Sequence, residues 1–124
     1  MTTSARIASL VLLALAAAGC KPKVARDALL GHWSTTEGQL VCNQRLNADA
    51  TFTGSCISTH VPAWTMSGTW ALNGTQLVTT TNESTQESVP AGKIDSGEVV
   101  SVSATSLVLR SEDCRTTTYA KVTP

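Results

Sequence analysis

Two hydrophobic patterns divide the chain. From Ile7 to Ala18 apolar residues run without interruption except at Ser9, whereas beyond residue 28 apolar and polar residues alternate in short stretches. Alternation with period two marks strands whose side chains point to opposite faces. No stretch repeats its apolar residues at the 3.6-residue period of a helix. Strands are expected at 29–34, 39–46, 52–58, 66–72, 75–81, 98–103, 106–110 and 115–122. Thr, Val and Ser fill them, as suits a pleated, half-buried surface, and Gly, Asn and Asp punctuate them. On the second and third strands Leu40, Cys42 and Leu46 share a face with Phe52 and Cys56, which makes it the core face. Asn43, Arg45, Thr53 and Ser55 take the other. A hairpin centred on Asp49 then sets Leu46 opposite Phe52 and Cys42 opposite Cys56. Asn73-Gly74 is a strong two-residue hairpin signal and sets Trp70 opposite Leu77, and a turn over Asp95-Ser96-Gly97 leads into the sixth strand.

Eight sequential antiparallel strands joined by short turns imply an all-β, up-and-down meander. Closure into a barrel removes the two free edges that would otherwise invite aggregation, and a two-sheet sandwich is the main rival.

The first 19 residues read differently. One cation at Arg6, a short apolar core and small residues at its end are the parts of a secretory signal, whose helix is too short for a span needing about 20 apolar residues. Leu15-Ala16-Ala17-Ala18-Gly19-Cys20 resembles the lipobox of bacterial lipoproteins, with Ala17 where Leu is commonest. The resemblance implies cleavage before Cys20 and acylation of its thiol. Each buried CH₂ contributes about 0.8 kcal/mol, so acyl chains on one cysteine anchor a small domain without a spanning helix. Lys21, rather than Asp, follows the cysteine, which in the sorting pattern of such lipoproteins implies the outer membrane, facing the periplasm. Residues 20–28 then read as a polar, solvated tether to a domain over 29–124.

Removal of residues 1–19 leaves 105 of the 124 residues, enough for one small domain, expected as a monomer. With Arg6 gone the chain carries one net negative charge and no basic patch, which excludes nucleic acid as a partner. Three cysteines remain after lipidation, in a compartment where disulfides persist. Cys42 and Cys56 are the expected pair, because directly opposed Cα atoms lie about 4.5–5.5 Å apart, within the usual disulfide range. Cys114 is then the free thiol; a bridge from Cys114 to either of the others is the rival.

Several motifs resemble one family. Gly31-His32-Trp33 resembles the G-x-W signature of lipocalins. Leu46-Asn-Ala-Asp-Ala-Thr-Phe52-Thr-Gly54 resembles a hairpin of the short lipocalin-like domains found in bacterial lipoproteins, with Ala50 where that hairpin usually has Gly. Gly68-Thr69-Trp70-Ala71-Leu72-Asn73-Gly74, Leu107-Val108-Leu109-Arg110 and Tyr119-Ala-Lys121 continue the pattern over roughly 29–122. The resemblance implies an eight-stranded barrel able to hold one small apolar ligand. It also implies a cation from the last strand, Lys121 or Arg115, packed across Trp33 to close one end.

Catalytic chemistry is not expected. His32 and His60 are the only histidines, and nothing places them together; His32 alternates with Trp33 and so faces solvent. There is no Gly-x-Ser-x-Gly elbow, no Cys-x-x-Cys and no Gly-rich phosphate loop, and hence no expected metal or cofactor. Trp64 lies in an expected loop with His60 and Pro62, where an exposed ring would form a contact surface. Two readings follow: a binding module for a small apolar ligand, or a protein-binding lipoprotein such as an inhibitor or immunity protein against a cell-wall enzyme. The interior separates them. With one Phe and one Tyr, a barrel this small is expected to be filled or shallow.

Overall fold

In a computed structural model, which describes residues 23–86 and 89–123, the chain forms a short 3-10 helix, Arg26–Leu29, followed by eight strands. They are β1 Gly31–Glu37, β2 Leu40–Leu46, β3 Thr51–Ile57, β4 Trp64–Asn73, β5 Gln76–Ser84, β6 Ile94–Val102, β7 Ser106–Arg110 and β8 Thr116–Lys121. Each pairs antiparallel with its neighbour in sequence, and β8 returns to β1 through Trp33↔Lys121 and Ser34↔Ala120. The sheet is a closed barrel, so the sandwich is excluded.

The β2–β3 hairpin has the register that its apolar alternation predicts, with Leu46 opposite Phe52 and Cys42 opposite Cys56. Ala50 keeps that register by adopting φ 70°, the left-handed conformation that Gly usually supplies in such a turn. Asp49 stabilises the turn by accepting from the backbone N–H and the hydroxyl of Thr51. Those bonds hold its exposed carboxyl below the usual carboxylate range.

Four elements depart from expectation. Leu29 and Leu30 precede the first strand instead of opening it. Leu29 ends the 3-10 helix with no exposed surface, because the barrel end would otherwise be open beneath Trp33. The Asn73-Gly74 turn is displaced by one residue: Asn73 pairs with Gln76 and Leu72 with Leu77, so Trp70 faces Thr79. Only Gly74 in that turn has positive φ, so it is not the turn with two left-handed residues that Asn-Gly favours. Asp95-Ser96-Gly97 is strand rather than turn, since β5 needs a partner along Leu77–Thr80 and β6 supplies it. Trp64 opens β4 opposite Cys56 instead of lying in a loop.

Inward residues form layers. The lowest is closely packed: Trp33, Leu46, Phe52, Trp70, Leu77, Val99 and Leu107 all have 5% exposure or less, and Leu29 lies among them. Above it several inward positions are small or polar, including Gly54, Thr79, Gly97 and Thr117. The barrel is therefore filled only in its lower half, so of the two expected interiors, filled or shallow, it has the shallow one.

Candidate functional site

The two ends of the barrel have different chemistry. At the closed end two indoles are each bound by a cation and a carbonyl. The Lys121 ammonium lies 4.5 Å from the centre of the Trp33 ring and donates to the Leu30 carbonyl, while Trp33 Nε1 donates to the Leu29 carbonyl at 2.8 Å. The Arg26 guanidinium lies 4.5 Å from the centre of the Trp70 ring and donates to the Ala48 carbonyl at 3.0 Å; Trp70 Nε1 donates to the Asn47 carbonyl at 2.9 Å. Such contacts contribute about 0.5–2 kcal/mol each and leave both buried indole N–H groups satisfied. Lys121 thus takes the barrel-closing place. Arg115 does not, because it lies in the turn before β8, at the other end of the strand. Arg26 falls in the segment expected to be a solvated tether, and its position corrects that reading.

At the other end the barrel holds a cavity of about 370 Å³ that opens to solvent. Phe52 and Leu77 reach it from the packed layer, and Met66, Leu109 and Tyr119 add apolar wall. Gln44, Thr79, Thr81 and Thr117 add hydrogen-bonding groups, and Asp95 and Ser111 stand on the same lining. Two features make the space. Gly54 and Gly97 present no side chain to it, and the β4–β5 pairing is interrupted by a bulge at Ser67/Gly68 that shifts the register of β5. Thr81 sits at this bulge, 1% exposed, with its hydroxyl bonded to none of the described residues. Burial pushes the Tyr119 phenol above its ordinary value, and the nearby Glu37 carboxylate adds to the shift, so it stays a neutral donor.

Among the candidate residues, Cys42 and Cys56 form a disulfide in the cavity wall, and Cys114 is a free, exposed thiol in the β7–β8 turn. His32 lies on the outer face, its Nε2 3.1 Å from the Asn43 Oδ1, and His60 is exposed in the β3–β4 loop, so the two histidines share no site. Trp64 is half-buried. Among the described residues no cluster of three or more His, Cys, Asp or Glu side chains is arranged to hold a metal ion. Cys20 lies outside the described residues. Thr81 carries no signal in the sequence beyond its inward parity with Leu77 and Thr79. Arg26 had none that distinguished it from the neighbouring cations of residues 21–28.

No protein-family model matches this chain, and no curated protein matches it either. A similar solved structure is that of a lipocalin-like protein from Bacteroides uniformis, with a TM-score of 0.59 and 18% identity, covering 77% of this chain and 99% of that one. The likeness is one of fold: this chain is a closed, eight-stranded, up-and-down barrel of lipocalin-like architecture.

Proposed function

We propose that this chain is a lipid-anchored, non-catalytic binding protein of the bacterial envelope whose barrel takes up a small apolar ligand. The observation that carries the reading is the cavity above the packed layer. Its volume falls at the low end of ligand pockets, which span roughly 300–1,000 Å³, and it has an apolar floor with a few polar groups. The anchor is supported by the short apolar leader, the lipobox-like segment ending at Cys20 and the following Lys21, which favours the outer membrane facing the periplasm. The absence of catalysis is supported by the separation of His32 from His60.

The alternative, a protein-binding lipoprotein, draws on one observation. Ile57 at the end of β3 and Val61 within the β3–β4 loop, 56% and 47% exposed, lie on either side of His60 before the chain reaches Trp64. Expression of the Cys20→Ser chain in a Gram-negative host tests both readings. The variant should leave the membrane fraction, and its native mass spectrum should carry an additional non-covalent small-molecule mass. Retention in the membrane would refute the anchor. A bare barrel recovered with a stoichiometric protein would refute the ligand and favour the alternative.

A further inference from the structure

The cavity also indicates what kind of head group its occupant carries. Among the described residues no Lys, Arg or His side chain lines it, and its one charged lining residue is the Asp95 carboxylate. Lys93 is the nearest counter-ion, 3.8 Å from Asp95 Oδ1 and itself 41% exposed, so it lies outside the lining. An anion entering this space would find one like charge and no cation on its walls. Meanwhile Thr81, whose buried hydroxyl has no partner among the described residues, stands on the same lining. A buried hydroxyl with no partner is destabilising until a donor or acceptor reaches it.

We infer that the barrel binds an uncharged amphiphile, a single short chain or small ring bearing a hydroxyl, ester or amide, with its polar group bonded to Thr81 and its apolar body on Phe52 and Leu77. This rests on the ligand-binding reading above and narrows it by excluding fatty-acid anions. The polar neighbours Thr79 and Thr117 on the same wall suit a neutral head with more than one hydrogen-bonding atom. The volume admits one chain and not a diacyl lipid.

The test uses the Cys20→Ser chain and three probes that share one medium-chain tail: the alcohol, the carboxylate and the trimethylammonium, each titrated by calorimetry at neutral pH. The alcohol should bind at least about tenfold more tightly than either charged probe. Thr81→Val, which keeps the shape and removes the hydroxyl, should weaken the alcohol by about tenfold and leave the carboxylate unchanged. Carboxylate binding equal to or tighter than alcohol binding would overturn the head-group assignment while leaving a ligand-binding barrel. So would tighter trimethylammonium binding, which would make Asp95 the determinant. Unchanged alcohol binding by Thr81→Val would remove Thr81 from the site. Failure of all three probes to bind would overturn both this inference and the reading beneath it.

Discussion

Gly68 is the position where a single added methyl group should do most damage. It sits where β5 bulges against β4, and an added Cβ would fall inside the Thr80 carbonyl oxygen, 2.9 Å from the Thr80 carbonyl carbon and 3.0 Å from the Asn82 nitrogen. All three are backbone atoms, so no side chain can swing aside. Relief requires β4 and β5 to part beside Thr81, whose N–H and C=O are already committed to Lys93 and Gly92 across the next connection. Overpacking costs about 1–3 kcal/mol and each ladder hydrogen bond lost costs about 1 kcal/mol, so Gly68→Ala should destabilise by roughly 2–5 kcal/mol. That is a large share of the 5–15 kcal/mol typical of a domain, and lowers Tm by about 10–25 °C. Gly97→Ala is the control. Its Cβ would meet nothing nearer than the Arg110 carbonyl oxygen and the Leu109 Cβ at 3.7 Å, an ordinary contact. Removing glycine's unfolded-state freedom from a strand then stabilises by about 0.5–1 kcal/mol. Urea denaturation followed by fluorescence of the buried Trp33 and Trp70 measures both variants. A Gly68→Ala protein within about 0.5 kcal/mol of the parent, or equal losses in both variants, would refute this account of the bulge.

Three further outcomes are expected. Replacing Cys42 and Cys56 together by Ala should cost about 3 kcal/mol, since the bridge closes a loop of 14 residues' separation, and an unchanged urea midpoint would contradict the loop-closure reasoning. Ala50→Gly should raise stability by about 0.5–1 kcal/mol, because φ 70° costs Ala about 1–2 kcal/mol and glycine's extra freedom returns only part of that; a lower Tm would sink it. Tyr119 is an acid whose neutral form the fold favours, so its contribution is complete below pH 10 and lost as pH rises through its raised folded value. Tyr119→Phe should therefore flatten the fall of stability above about pH 10, and parallel curves for the two proteins would exclude Tyr119 as the cause.

What the sequence disclosed was set by how local each determinant is. The β2–β3 hairpin was legible because four apolar positions and a short turn over-determine its register. Even a non-glycine at Ala50 did not slip it, since a shift by one residue would turn Leu46, Phe52 and both cysteines out of the core. The Asp95-Ser96-Gly97 segment was misread because its turn residues are a local signal, whereas its strand state comes from pairing with β5. Arg26 looked like linker and Leu29 like the opening of the first strand, because their partners, Trp70 and the barrel floor, are distant in sequence. Large aromatic residues were a fair guide to the filled half of the barrel and a poor one to the open half. That half depends on which strand positions place Gly54, Thr79 and Gly97 in one ring, and this needed the β4–β5 and β5–β6 registers.

The uneven distribution of stabilising detail is itself informative. At the closed end every buried polar group of the two indoles has a partner, and each ring carries a cation. Above it, hydroxyl-bearing residues and glycines occupy inward positions where Val or Leu would bury more surface at about 25 cal/mol per Å². Thr81 goes further: Val has the same shape and would remove an unsatisfied hydroxyl that costs about 1–3 kcal/mol. A bulge, an orphan hydroxyl and a loosely filled core layer would be unrelated defects if they lay in different places. They meet at Thr81, which carries the orphan hydroxyl, pairs with Gly68 at the bulge and lines the cavity with Gly54 and Gly97. Local departures from stable packing that converge on a single concave space are the physical signature of a site shaped for an occupant. The same convergence makes the reading testable from stability alone: Thr81→Val should unfold at higher urea than the parent in the empty protein and lose that advantage when the parent is saturated with a neutral amphiphile.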